Sequence, residues 1–151
     1  MSGFLYHNVY IGIAGLLYVT GPGAPEHSMP VDGPIDAHLI HSRDGVTWHY
    51  PDAERTPILP RGESGAFDGG MIMGTNTQPI IEGDEIHWYY TGARHTHGLG
   101  LRERYKAIGR ATWRLDGFVS LDADAAGGVV ETVALRVPDG ELEINADAGE
   151  G

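Results

Sequence analysis

Two aspartate-glycine corners in the same setting constrain this chain more than any other feature. In "SRDGVTW" (42–48) a hydroxyl, an acid and a glycine precede a tryptophan. Glycine accepts positive φ, the preceding Asp bonds its own backbone, and Ser42 does the same more weakly. The stretch reads as strand, turn, strand, with Trp48 placed to press its ring against a neighbouring layer. The design recurs in "KAIGRATWRLDGFVSL" (106–121), where Asp116-Gly117 makes the turn and Phe118 replaces Trp48. Gly45 and Gly117 stand 72 residues apart, and other strands lie between them.

Those strands follow from period-two patterning and turn residues. "NVYIGIAGLLYV" (8–19) reads as two short strands or one bent strand, with Gly12 and Gly15 as bulge or turn points. "IDAHLIHS" (35–42) alternates as a half-buried strand. "MIMGTNTQPII" (71–81) is strand, polar break and strand, and Glu82-Gly83-Asp84 is a hairpin turn. "EIHWYYTG" (85–92) carries large residues on both faces, as a strand covered from both sides does. Residues 20–34 and 51–70 are irregular, and 93–105 is loop with one helical turn. "VVETVALRV" (129–137) and "ELEINA" (141–146) alternate about a Pro138-Asp139-Gly140 turn. With 23 glycines and no long amphipathic helix, the class is all-β. A repeat of about four strands suggests radially arranged sheets, the logic of a β-propeller; a sandwich with two similar hairpins is the alternative.

Composition narrows the partners. Acids number 21 against nine arginines and the single Lys106, a formal charge of −11 that repels nucleic-acid phosphates and anionic lipid. No nucleic-acid or membrane partner is expected. The chain contains no cysteine, so disulfides and thiolate metal sites are excluded. Residues 1–19 show no secretory signal, and the apolar run from Val9 to Val19 is too short and glycine-broken to span a bilayer. The cellular address stays open, cytoplasmic by default.

Taken in order, "AHLIHSRDGVTW", "AFDGGMI", "EIHWYYTG", "AIGRATWRLDGFVSL" and the segment from "GVVETVALRV" to "GELEINADAGEG" resemble the last part of five-bladed β-propeller proteins related to glycoside hydrolase families 32 and 43. The resemblance implies about two C-terminal blades in residues 1–121, a joint at 122–128 and the first strands of a β-sandwich in 129–151. It further implies a fragment, with N-terminal blades of the same protein as its missing partner and a saccharide as its ligand. The implied function is hydrolysis or binding of that saccharide in the propeller funnel; the alternative is a non-catalytic module for carbohydrate or protein recognition. Unpaired edges and exposed apolar faces are expected of the outer strands.

Glycoside hydrolysis needs two carboxyl groups flanking the scissile bond. The resemblance implies three acids, mostly on blades this chain lacks. Asp68 in "SGAFDGGMI" is the first local candidate, since the adjacent glycines let backbone and ligand approach closely; the other reading is that it caps the turn. Asp36 faces the funnel or is a solvated strand end. Glu82, Asp84 and Glu85 read as turn acids, and Asp44 and Asp116 as turn structure. Arg94, His95 and His97 suit hydrogen bonds to sugar hydroxyls. Trp88, with Tyr89 and Tyr90, offers a stacking platform or packs as core. His-x-His at 95–97, with His87 nearby, is a possible metal geometry without an evident third ligand, so no metal and no cofactor are assigned. Phosphate-loop, nucleophile-elbow and zinc-protease motifs are missing from the sequence.

Overall fold

The computed structural model describes residues 2–27, 29–74, 78–99, 105–134, 136 and 144–147. They are all-β: ten strands and one 3-10 turn (Pro25–His27), without an α-helix among the described residues. The strands are β1 (Ser2–Tyr6), β2 (Val9–Leu17), β3 (Gly21–Pro22), β4 (Val31–Asp32), β5 (Ile35–Ser42), β6 (Pro57–Leu59), β7 (Met71–Gly74), β8 (Ile80–Glu82), β9 (Glu85–Ala93) and β10 (Lys106–Arg114). The chain divides into two compact units, Met1–Phe118 and Val119–Gly151, a boundary three residues before the expected one at 121.

In the first unit the strand order is β1-β2-β5-β7-β9-β10, with β6 also on β5 and β8 also on β9. Every pairing is antiparallel except β5 with β7, which run parallel and touch at the single pair Ile35 and Met71. The two corner-bearing strands, β5 and β10, therefore belong to one hydrogen-bonded path and not to two separate sheets. One residue pair is the whole of the strand pairing between its halves, which otherwise meet through side chains and loops. β7 and β8 lie on the same side of β9, Met71–Gly74 opposite Ala93–Tyr90 and Ile80–Glu82 opposite His87–Glu85. They act as one interrupted strand, as the sequence pattern implies, and Gly83 makes the turn at φ 57°.

The core lies between the halves. Ile13 of β2, Ala37 of β5, Ile72 of β7, and Trp88 and Tyr90 of β9 form one buried cluster. The alternation Ile86, Trp88, Tyr90 turns one face of β9 inward. Trp88 stacks on Tyr90 at 5.7 Å between centroids and meets Trp113 of β10 at 6.2 Å, while Phe67 stacks on Tyr90 at 6.1 Å. Gly109, opposite Tyr90, makes this row possible: a Cβ there would stand 2.2 Å from the tyrosine ring. The other face of β9 is only partly covered, Tyr89 being 40% exposed, so the expectation of cover on both sides fails there.

Residues 9–17 form a single strand, the second of the two forms the sequence left open, pairing with β5 over eight consecutive residues. Glycine in the neighbouring strand serves space: a Cβ on Gly3 would meet the Trp48 ring at 3.1 Å. The strand β1 itself was not foreseen. Finally, residues 129–134, 136 and 144–146 carry no strand, contrary to expectation, and the remaining positions of those segments lie outside the described residues. The physical reason is that no ladder forms among the described residues there. Val129 is 96% exposed, and an alternating segment gains little as a strand until a partner pairs its backbone and covers one face. The joint itself holds a turn, with Ala126 N–H donating to the Asp124 carboxylate and Gly127 N–H to the Asp124 carbonyl.

Candidate functional site

Parallel β5 and β7 start at the same end of the path, and antiparallel β9 finishes there. This topology gathers β4 with residues 33–34 and the loops 60–70 and 94–99, and with them most of the candidate residues.

Asp68 sits on the loop entering β7. Ala66 N–H donates to Glu63 C=O, Gly69 N–H to Ala66 C=O, and Gly70 N–H to Ala93 C=O, so the loop is a chain of turns tied to the end of β9. The Asp68 side chain is 8% exposed and accepts a 2.7 Å hydrogen bond from the Tyr90 hydroxyl. Burial, and then that bond to a carboxylate, push the Tyr90 phenol up to about 12. Gly62 and Gly92 leave the room Asp68 occupies: a Cβ on either would stand within 2.5 Å of the aspartate side chain.

Asp36, the second residue of β5, forms an ion pair with Arg61. The same guanidinium donates through Nη1 to Gly69 C=O at 3.2 Å. Arg61 thus ties the start of β5 to the loop that carries Asp68. Asp32 holds the third side of the end. Its carboxylate accepts N–H bonds from Gly33 at 2.7 Å and Gly98 at 2.6 Å. The Thr96 hydroxyl first, and the Gly98 amide second, hold its pKa below the ordinary aspartate value. His97 N–H donates to Gly33 C=O, and His97 Nδ1 faces the Val31 carbonyl at 3.3 Å. His95 is exposed, its backbone against Gly70. Arg94 is exposed at the rim with its guanidinium 5.0 Å above the Tyr105 ring.

Asp36, Asp68, His95 and His97 therefore come to one end, with Arg94 beside them. Trp88 does not. It is fully buried in the core, so it offers no ring face to a ligand, and the stacking-platform reading is corrected to core packing. The period-two alternation that carries Tyr90 inward carries Trp88 inward too. The three histidines of the metal reading are also separated. His87 lies six residues back along β9, about 20 Å at strand rise, with Nδ1 3.1 Å from the Thr112 hydroxyl and Nε2 3.4 Å from Glu85. Among the described residues no group of three or more His, Asp or Glu side chains could hold a metal ion.

Sequence reasoning missed Arg61, Tyr90 as a partner of Asp68, and Asp32. The first two act through tertiary contacts 25 and 22 residues away in sequence, which no local motif signals. Asp32-Gly33 was open to view as another Asp-Gly pair. Chemically, the end presents three carboxylates, each engaged by a donor of different kind: backbone amides, a guanidinium and a phenol. In comparisons with family models, curated proteins and solved structures, the chain matches none.

Proposed function

We propose that this chain is part of a glycoside-hydrolase-like β-propeller protein of the five-bladed kind, contributing about two blades and the beginning of a β-sandwich. It binds or hydrolyses a saccharide at the end where β5 and β7 begin. The observation that carries this reading is Asp68: a carboxylate almost wholly withdrawn from water, bonded to one phenol, and set between glycines beside the Asp36–Arg61 pair. Such a carboxylate suits stabilisation of positive charge at a sugar carbon, or activation of a water. Arg94, His95 and His97 at the rim suit sugar hydroxyls.

The propeller part of the reading is supported by two antiparallel four-strand halves, β1-β2-β5-β6 and β7-β8-β9-β10, that share one core, as neighbouring blades would, the β5–β7 pair being the one point where they join as a sheet. The edges of β1 and β10 are unpaired among the described residues, and Leu5 and Ile108 are exposed, which suits further sheets of the same protein on either side. Asp68→Asn in the full-length parent should lower glycoside turnover by about 10²–10⁴-fold while saccharide binding, followed by calorimetry, persists. Unchanged turnover would remove Asp68 from catalysis.

A second reading is non-catalytic carbohydrate recognition. It is favoured by the engagement of Asp32, Asp36 and Asp68 with donors, which leaves none of them placed as the proton donor a leaving group needs. Binding without turnover across a panel of aryl glycosides would select it. Neither binding nor turnover would defeat both.

A further inference from the structure

At the opposite end of β5 the structure carries a second feature with defined ligand chemistry. His41 faces His49 across an isolated antiparallel bridge, and the two residues exchange both backbone bonds, each 2.9 Å. Residues opposed in this way project their side chains to the same side. The imidazole centroids are 5.9 Å apart with the planes tilted by 38°. We propose that His41 and His49 form a two-imidazole site for a divalent transition metal ion such as Zn²⁺.

The geometry fits the ion. With metal–nitrogen distances of about 2.0–2.1 Å, two imidazoles on a tetrahedral ion place their ring centroids roughly 5–6 Å apart. Among the described residues neither ring has a hydrogen-bond or ion-pair partner, so both keep a lone pair to offer when neutral. In a chain without cysteine, imidazole is the best available ligand for a borderline metal. A net charge of −11 also raises the local concentration of cations.

The site is assembled before any metal arrives. Between the two histidines, the Ser42 hydroxyl accepts the Gly45 amide and the Asp44 carboxylate accepts the amides of Val46 and Thr47. Trp48, next to His49, is seated against Gly3. The loop that returns His49 to His41 is therefore knitted at its tip and anchored at its base. Preorganisation of this kind lowers the cost of bringing two ligands to one ion. With two protein ligands, water completes the coordination sphere and leaves positions that an oxygen ligand can take. The pair stands five residues from Asp36 along β5, roughly 17 Å at strand rise, and is independent of the acid end.

The test is a Zn²⁺ titration of the ¹⁵N-labelled full chain, followed by the histidine ring nitrogens. The ring signals of His41 and His49 should move together and saturate at one ion per chain. His49→Gln should weaken binding by at least about tenfold, and His95→Gln should not. His49 is exposed, so its variant should keep the metal-free melting curve of the parent. Zn²⁺ should then raise the melting temperature of the parent and not of His49→Gln. Shifts confined to His7, His87, His95 or His97, equal affinity of His49→Gln and the parent, or no binding at millimolar Zn²⁺ would each overturn the proposal.

Discussion

The corner after β5 and the corner after β10 contain the same Asp-Gly pair and are held in different ways. At 42–48 the Asp44 carboxylate accepts the amides of Val46 at 2.8 Å and Thr47 at 2.7 Å and bonds the Ser42 hydroxyl at 2.9 Å. Gly45 takes the left-handed conformation at φ 74°. At 114–118 the left-handed residue is Asp116 itself, at φ 59°, and its carboxylate reaches away to accept the Tyr6 hydroxyl. The cause lies two residues earlier. Ser42 supplies a hydroxyl that organises the loop, whereas Arg114 supplies none, and the Gly117 amide bonds the Arg114 carbonyl directly at 3.0 Å. Asp tolerates the left-handed region better than most residues, so the turn closes one position sooner.

Both corners nevertheless end on β1. Trp48 sits against Gly3, while Phe118 packs on Phe4 at 6.2 Å and on Tyr6 at 5.2 Å. Alternate residues of a strand point to opposite faces, so one corner grips each side of β1. The comparison teaches that the ring after the corner is interchangeable in kind, and that the residue before it decides how the acid is used.

Whether the halves behave as one body is the sharpest way to break this comparison. Trp88→Ala removes the fully buried centre of the shared core and should cost about 3–5 kcal/mol. Urea melts followed by dichroism and by amide exchange in β2 and in β9 should show one transition, shifted for both. A loss confined to β7–β10 would mean that the halves are stabilised separately and that the single β5–β7 pair merely brings them together.

The next effect belongs to Tyr90. Its phenol is raised in the folded chain to about 12, from an unfolded value near 10. The folded state therefore holds this proton where the unfolded chain releases it. The associated stability is complete below about pH 10, falls as pH rises, and is gone above the folded value. The loss is on the order of 2–3 kcal/mol. Tyr90→Phe should flatten the alkaline limb of stability against pH and, at neutral pH, cost about 1–3 kcal/mol because Asp68 keeps its burial without its donor. An unchanged alkaline limb would place the group responsible elsewhere.

How much of this was legible follows the range of each contact. Alternation and Asp-Gly turns revealed β2, β5, β7 to β10 and both corners, because period-two burial and tight-turn chemistry are local. Asp68, Asp36, His95 and His97 were legible as candidates, because acids and imidazoles beside glycines at strand ends are local features as well. The short β3, β4 and β6 carry two or three residues each and too little pattern to read. Arg61 was invisible, since its pairing with Asp36 exists only once β5 and the loop before β7 are neighbours. Trp88 was open to both a platform and a core reading because the same alternation fits either face of a strand, and only the packing of Trp113 and Tyr90 decides that it is core. The patterned residues 129–134 show the converse: alternation without a partner does not make a strand.

The smallest effects distinguish the corners themselves. Backbone amides of Thr47 and Val46 hold the Asp44 carboxyl well below the usual carboxylate range. A depressed folded pKa gives stability that is present above the unfolded value, near pH 4, and lost as pH falls through the folded one. Asp44→Asn should therefore remove part of the acid dependence of the parent's melting temperature. Asp116→Asn should shift stability by no more than about 0.5 kcal/mol, as for an exposed residue whose loop bond is made by its neighbour. Its effect should surface instead in Tyr6. Burial first, and the Asp116 carboxylate second, raise that phenol, so the variant should lower the Tyr6 value part of the way to that of free tyrosine in an ultraviolet titration. An acid profile of Asp44→Asn equal to the parent's, or a Tyr6 titration unmoved by Asp116→Asn, would mean that the two carboxylates are not used differently, and the two corners would be one device after all.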